Sequence, residues 1–176
     1  MIKKLIVILI MVYFCIPVYA ETLYVNSSDG LRLHSSCDIE AETLTVLSYC
    51  SCVEVLENKN EWVKIEYKNL IGYAVKEYMI GHNPKDDMQY LGNWHITAYA
   101  ETGYCCANGN YPEVGYTIAC NSLPFNSKIY IDGVGVRTVE DRGPTWLGDN
   151  WCDLYLGVID DCVNWGSQYK DVWLIE

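Results

Sequence analysis

Short stretches of alternating apolar and polar residues, separated by turn-forming sequences, fill the chain from residue 23 to about residue 80. The clearest stretch is WVKIEY, in which Val63, Ile65 and Tyr67 share one face while the lysine and glutamate between them face the other way. The sequence NKNE, between VEVLEN and WVKIEY, predicts a β-hairpin. Strands this short and this closely spaced indicate a small β-barrel rather than a helical domain.

A second series of strand-like segments begins at Trp94 and is rich in β-branched and aromatic residues. Its members are WHITAYA, YTIAC, SKIYI, GVRTVED, CDLYLGVI and YKDVWLIE. Helix signals are confined to residues 159–165, where Asp160 or Asp161 is the expected cap. Residues 81–93 are polar and turn-rich, which predicts a linker between the two series. The pattern as a whole predicts an all-β protein with two domains.

The first twenty residues have the pattern of a secretory signal peptide. Lys3 and Lys4 form a basic start, an apolar stretch follows, and Ala20 supplies a small residue at the cleavage position. A retained membrane anchor is the alternative, but the apolar run is short for a membrane span, which needs about 20 residues. We therefore expect a secreted, extracellular protein with no stable membrane insertion after cleavage.

Removing Lys3 and Lys4 with the signal peptide leaves 10 of the 12 basic residues against 23 acidic residues, a formal charge of −13. A chain this acidic is repelled by phosphate backbones, so nucleic acid is a poor candidate partner. The same charge argues against binding to anionic membranes. It does not by itself indicate an activity.

Eight cysteines remain after the signal peptide, and an even, high count in a secreted chain predicts a disulfide framework. Three lie before the linker and five after it, so if all eight pair, at least one disulfide joins the domains; otherwise each domain keeps a free thiol. The cysteine pairs lack the spacing of zinc ligands, and the three histidines are far apart. We therefore expect neither a metal nor another cofactor. The eight are Cys37, Cys50, Cys52, Cys105, Cys106, Cys120, Cys152 and Cys162.

Candidate chemistry is concentrated in VEDRGPTWLGDNWCD, residues 139–153. Asp141 and Asp153 lie at the two ends of a turn-rich loop, and Trp146 and Trp151 supply flat apolar surfaces between them. Two acids held by strands across an aromatic-lined turn are suited to a saccharide cleft, because cleavage of a glycosidic bond uses carboxyl groups.

The segments LRLHSSC, VEVLEN, EWVKIEY and IGYAVKEYM follow one another through residues 21–80. In this order they resemble the bacterial SH3-like domain over nearly the whole segment. That resemblance implies a small β-barrel that binds cell-wall peptide or glycan and holds an attached enzyme near its substrate.

The second half of the chain carries a longer series of motifs, in the order ITAY, YTIAC, LPFNSKIYI, VEDRG, CDLYLG, VNWG and DVWLI. This series resembles the 3D domain, named for three aspartates, of secreted peptidoglycan-active proteins. It is similar also to the catalytic part of the membrane-bound lytic transglycosylase A family. The resemblance covers residues 96–176 and implies a double-psi β-barrel that cleaves glycosidic bonds in peptidoglycan.

The resemblance also assigns roles to individual residues. Asp153 in CDLYLG falls on the catalytic aspartate and would act as the general acid and then the general base, since in a lytic transglycosylase the sugar's own hydroxyl attacks. Asp141 falls on the second aspartate and would assist it. Asn121 stands where the first aspartate is expected, and it would contact the substrate together with Trp146 and Trp151. Asp141 could instead be a turn residue that accepts hydrogen bonds from local backbone amides, the reading we prefer for the other loop aspartate, at position 149.

Two further hypotheses remain open. Asn121, which cannot ionise, and Arg142, which could stabilise a neighbouring carboxylate as an anion, motivate a non-catalytic cell-wall-binding or interaction protein on the same fold. A disulfide-stabilised secreted effector that acts on another protein is the third. In the first two hypotheses the partner is peptidoglycan, through its glycan strands and stem peptides, at the cell wall.

Overall fold

The computed structural model describes residues 21–175, so the predicted signal peptide lies outside the described residues. This part of the chain contains thirteen β-strands, two short 3-10 turns and one α-helix. The strands form two separate sheets. The prediction of an all-β protein is confirmed. No helix within residues 21–175 is both long enough and apolar enough to cross a membrane.

The first sheet contains seven antiparallel strands in the order β3-β2-β6-β5-β4-β1-β7. Strands β4 and β5 form the predicted hairpin, with Lys59 opposite Trp62. Val63 and Ile65 are fully buried, as the alternation of WVKIEY predicts. The strand bounds are β1 (Glu21–Val25), β2 (Leu31–His34), β3 (Thr43–Leu47), β4 (Cys52–Lys59), β5 (Trp62–Tyr67), β6 (Leu70–Val75) and β7 (Met79–Ile80).

All seven strands contribute side chains to one apolar cluster, whose fully buried members include Val25, Leu33 and Leu47. Burial of these aliphatic side chains is the main favourable contribution to folding of such a small unit. The strand order runs from β3 to β7 without a closing pair, so a closed barrel is not confirmed for this part of the chain.

The second sheet closes on itself as a six-stranded barrel in the order β10-β11-β9-β12-β8-β13. Two of its pairs, β11 with β9 and β12 with β8, are parallel, and the other pairs are antiparallel. The strands are β8 (Gln89–Ala100), β9 (Thr117–Cys120), β10 (Lys128–Ile131), β11 (Gly135–Asp141), β12 (Trp151–Gly157) and β13 (Gln168–Ile175).

The predicted linker over residues 81–93 is wrong at its C-terminal end. Strand β8 begins at Gln89, because Tyr90 and its neighbours pair with the end of β13. Before this strand, Pro84–Asp87 form a 3-10 turn that Asn83 caps by accepting a hydrogen bond from the Lys85 amide. Only the first part of the segment is therefore a connection.

The turn at residues 84–87 also contacts the six-stranded barrel. The Lys85 ammonium group donates to Asp132 at 2.6 Å and lies 4.6 Å from the centre of the Trp173 ring. Tyr49, which precedes β4, meets the edge of Tyr130 with ring centres 5.7 Å apart. The two sheets are thus in contact through charged and aromatic side chains.

The only α-helix of the described residues, α1, spans Ile159–Trp165 as predicted. The predicted side-chain cap is wrong: Val158 occupies the N-cap position and no side chain caps the helix. Asp160 and Asp161 lie in the first turn instead, where a negative charge interacts favourably with the helix dipole. Gly166 ends the helix with a positive φ of 65°.

The predicted disulfide framework is not confirmed, because all eight cysteines within residues 21–175 are free thiols in the structure. Their environments differ. Cys37, Cys52 and Cys105 are exposed, whereas Cys120 and Cys152 are completely buried in the core of the barrel.

Candidate functional site

Asp141 and Asp153 lie on either side of the same residue of the barrel. Strand β9 runs between β11 and β12, and its Ala119 pairs with Asp141 on one side and with Asp153 on the other. Paired residues on adjacent strands project from the same face of a sheet. The two aspartates therefore share one face, about 10 Å apart at their Cα atoms if each strand spacing is about 4.8 Å. The structure brings together the two acids that the sequence singled out.

This shared face is turned away from the barrel core. The residues that precede and follow Ala119, namely Ile118 and Cys120, belong to the core cluster, as do the neighbours of Asp153 on β12, Cys152 and Leu154. Alternation along the strands then places the acids on the opposite face. A β-bulge between Val139 and the end of β11 shifts the register just before the first acid.

The carboxylate of Asp153 is oriented by a chain of two hydrogen bonds. The Thr97 hydroxyl, directly opposite on β8, donates to Oδ1 of Asp153. The same hydroxyl accepts a hydrogen bond from the indole nitrogen of Trp151 at 2.7 Å. Because the indole can only donate, it fixes the direction of the threonine proton toward the aspartate. Among the described residues nothing bonds to Oδ2 of Asp153, which stays free for a ligand.

Four aromatic rings, Trp146, Trp151, His95 and Tyr169, continue from this hydrogen-bond chain, and we call them the aromatic row. Successive ring centres are 5.3, 4.2 and 4.9 Å apart. The two ends are largely exposed, Trp146 at 68% and Tyr169 at 70%. The exposed rings of Trp146 and Tyr169 at the two ends of the row are suitable surfaces for the apolar faces of sugar rings, whereas His95 between them stacks on Tyr169.

Asp141 is held differently, by donors from the backbone. Its Oδ1 accepts from the amides of Ala107 at 2.9 Å and Arg142 at 2.8 Å, and its Oδ2 accepts from the Tyr99 hydroxyl at 3.3 Å. Burial is the main cause that raises the pKa of Tyr99, and the nearby charge of Asp141 is the second cause. This phenol therefore remains a donor at all ordinary pH values. Asp141 thus accepts from a local amide, Arg142, as the simpler interpretation of a loop aspartate predicted, and it also holds the middle of the loop between β8 and β9 through Ala107.

The expectation that Arg142 stabilises a neighbouring carboxylate is not met by the geometry. Its guanidinium donates to the backbone carbonyls of Cys120 and Asp141, and it lies over the Phe125 ring at 3.8 Å. No ion pair joins it to a carboxylate within residues 21–175. Arg142 instead ties the start of the loop to the end of β9.

Asn121, predicted as a substrate contact, uses both ends of its side chain to hold the loop after β11. Its Oδ1 accepts from the Gly143 amide and its Nδ2 donates to the Pro144 carbonyl, each at 3.0 Å. An aspartate could accept the first hydrogen bond but could not donate the second. The amide at this position therefore matches the conformation of the loop that follows Asp141.

Replacing Asn121 with aspartate is expected to destabilise the loop. A carboxylate oxygen would face the Pro144 carbonyl in place of a donor, which we expect to lower the free energy of unfolding by about 1–2 kcal/mol. The loop should also become more susceptible to limited proteolysis. Asn150→Asp makes the same chemical change at an exposed position of this loop and serves as the control. Equal melting temperatures for both variants would contradict the anchoring role.

Replacing Trp146 with alanine tests the aromatic row. Because this side chain is mostly exposed, we expect the melting temperature to stay within about 2 °C of the wild type, since surface changes cost little. Affinity for peptidoglycan in a sedimentation assay should fall about three- to tenfold, as for loss of one stacking contact. Tyr104→Ala removes an equally exposed aromatic side chain outside the row. A similar loss for both variants would remove Trp146 from the binding surface.

Sequence reasoning missed the residues that surround the two acids. Thr97, Tyr99 and His95 lie on β8, which the sequence indicated as a strand, but nothing local indicates that this strand runs parallel to β12. Tyr169 on β13 joins the row through another long-range pairing, that of β13 with β8. Only the motif ITAY, which contains the threonine and one tyrosine, pointed to this strand.

Glu140 was also missed, although it is the one buried carboxylate among the described residues. It accepts hydrogen bonds from Thr117 at 2.6 Å, Asn110 at 2.8 Å and Asn108 at 3.4 Å. Three neutral donors thus satisfy a carboxyl group in the interior, and they attach the loop at residues 105–113 to the barrel. The structure gives Glu140 a supporting position next to Asp141, away from solvent.

A cavity of about 570 Å³ lies between the two sheets, and neither acid lines it. Its lining includes Tyr49, Glu113 and Arg137. A glycan strand is a long polymer and needs an open surface along which it can extend, so an enclosed cavity is not required at the acids. Residues 21–175 hold no cluster of three or more metal-ligating side chains.

Comparisons with models of protein families, with curated proteins and with solved structures found no match to this chain. The assignment of a function therefore rests on the chemistry of the site and on the motifs in the sequence.

Proposed function

We propose that this protein is a secreted, peptidoglycan-active enzyme that cleaves the O-glycosidic bonds of glycan strands in the manner of a lytic transglycosylase. One observation carries the proposal. Asp153 has one carboxylate oxygen fixed by Thr97 and the other unoccupied by protein, beside an exposed aromatic row. The ordered motifs that resemble the 3D domain support the same assignment.

Asp153 would perform both proton transfers. As the acid it protonates the oxygen that leaves when the glycosidic bond breaks, and as the resulting carboxylate it then removes the proton from the 6-hydroxyl of the same sugar. That hydroxyl forms the new bond to the sugar's own anomeric carbon, so no water is consumed.

Thr97 and Trp151 would keep the working oxygen of Asp153 in place through both steps. The threonine hydroxyl donates to Oδ1 only, so the proton that is transferred resides on Oδ2. A fixed orientation matters because proton transfer requires the acid within hydrogen-bond reach of the leaving oxygen. Asp141, anchored by two amides and Tyr99, would add negative charge on the same face and hold the loops that border the substrate.

The sheet formed by β1 to β7 would keep the enzyme at the cell wall, as the resemblance of its segments to the bacterial SH3-like domain implies. The turn that connects the two sheets is held to the barrel by the ion pair of Lys85 with Asp132.

Incubation of the mature protein with purified peptidoglycan tests the proposal. We expect the protein to sediment with the wall material and to release new glycan ends over time. Sedimentation without any new glycan ends would exclude the enzyme.

A non-catalytic wall-binding protein on the same fold is the second candidate. The observation that favours it is that hydrogen bonds within the protein occupy the side chains of Asp141 and Asn121, so these two residues support loops instead of facing a substrate. This candidate predicts the same sedimentation but an intact glycan. Failure of the protein to bind any wall preparation would exclude both candidates and favour an effector that acts on another protein.

A further inference from the structure

Two buried cysteines face each other across adjacent strands of the six-stranded barrel. Cys120 is the last residue of β9 and Cys152 is the second residue of β12, and the antiparallel register pairs them directly. Both have no exposed surface, and both belong to the apolar core. No other pair of cysteines within residues 21–175 is joined in the register of adjacent strands.

The geometry of such a pair meets the requirements of a disulfide. Directly opposed residues of antiparallel strands have Cα atoms about 4.5–5.5 Å apart. Disulfides span Cα separations of about 4.4–6.8 Å, so the bond needs no movement of the backbone. The two thiols also interact directly: this contact lowers the pKa of Cys120 to about 6 and raises the pKa of Cys152.

We propose that Cys120 and Cys152 form a disulfide that links β9 to β12 in the secreted protein. The inference stands on strand register and burial, and it rests on the secretion that is part of the proposed function but not on the catalytic activity. It also assigns two of the eight cysteines, whose pairing the sequence left open.

The bond would form by exchange with a disulfide outside the protein, either a small molecule or an oxidised dithiol protein. The Cys120 thiolate attacks one sulfur of that disulfide and releases the other as a thiolate, which takes up a proton. The Cys152 thiolate then attacks the Cys120 sulfur and displaces the second external thiolate. In total two protein thiols lose two electrons and two protons, and the external disulfide becomes two thiols.

In the folded barrel the Cys152 thiol and then Ser122 hydrogen-bond to Cys120, so the two sulfurs already lie next to each other. Complete burial of both residues prevents exchange in the folded barrel. The bond therefore forms while the chain folds, and it is then protected from reductants.

The disulfide would fix the two strands that border the candidate site. Cys120 precedes Asn121, which anchors the loop, and Cys152 precedes Asp153. A covalent link at these positions holds the ends of the loop at residues 142–150 in one register.

Peptide mapping tests the proposal on the full mature chain, secreted or folded with oxidised and reduced glutathione. The protein is unfolded without reductant, alkylated with iodoacetamide, digested and analysed by mass spectrometry. We expect a linked peptide pair that contains Cys120 and Cys152 and separates on reduction. Alkylation of both residues, or linkage of either to another cysteine, would overturn the proposal.

A second measurement covers variants that fold poorly. The melting temperature of the wild type should fall by more than about 5 °C after folding in the presence of reductant, because loss of a cross-link frees the unfolded chain. In the double variant Cys120→Ala/Cys152→Ala the effect of reductant should be smaller than in the wild type, whereas Cys105→Ser, at an exposed position, should leave the linked peptide in place. A reductant effect of the same size in the double variant would contradict the assignment.

Discussion

Replacing Asp153 with asparagine is expected to reduce the release of glycan fragments by about 10²- to 10⁴-fold, the contribution of a general acid–base group. An asparagine side chain keeps the shape of the residue and can still accept from Thr97 through its carbonyl oxygen. It cannot supply the proton to the leaving oxygen or remove one from the attacking hydroxyl. The rate of fragment release from purified peptidoglycan measures the effect.

The matched control for this prediction is Asp149→Asn. This residue is an exposed aspartate of the same loop, and only its backbone carbonyl is used, as an acceptor for Ser122. We expect the control to retain the wild-type rate and both variants to retain the wild-type melting temperature. Equal rates for the wild type and the folded Asp153→Asn protein would remove Asp153 from catalysis.

Replacing Glu140 with leucine is expected to cause the largest loss of stability. The Thr117 hydroxyl, which is completely buried, would lose its acceptor, and two asparagines of the adjoining loop would lose theirs. A buried donor without a partner costs about 1–3 kcal/mol. We expect the free energy of unfolding to fall by about 2–4 kcal/mol and the melting temperature by about 10 °C or more.

Two other variants separate this network from a general effect of charge. Glu140→Gln keeps an acceptor for part of the network and should fall between leucine and the wild type. Glu113→Leu removes an exposed carboxylate from the nearby loop and should change the melting temperature by less than about 2 °C. A melting temperature for Glu140→Leu close to that of Glu113→Leu would contradict the buried network.

Much of the strand content followed from local pattern. WVKIEY alternates cleanly and a turn sequence precedes it, so the hairpin of β4 and β5 could be predicted. Strand β3 could not, because only Leu47 of its five residues is buried and the alternation is weak. The start of β8 could not be predicted, because Gln89, Gly92 and Asn93 interrupt the strand pattern and pairing with β13 holds the segment as a strand.

The site was only partly readable from the sequence. Asp141 and Asp153 stood out because each lies at the end of a strand beside a turn-rich loop. Their surroundings depend on pairings between distant segments: Thr97 meets Asp153 only because β8 runs parallel to β12. The hydrogen bond from the Ala107 amide to Asp141 likewise joins segments that are far apart in the chain. Asn121, expected to contact the substrate, supports the loop after β11 instead.

Mass spectrometry of the products released from purified peptidoglycan tests the central claim most directly. A single free carboxyl group that acts as acid and then base predicts glycan fragments that end in an anhydro sugar, lighter by one water than hydrolysis products. Fragments with ordinary reducing ends would contradict the single-carboxyl mechanism. An intact glycan after incubation with folded, wall-bound protein would contradict cleavage by Asp153 altogether.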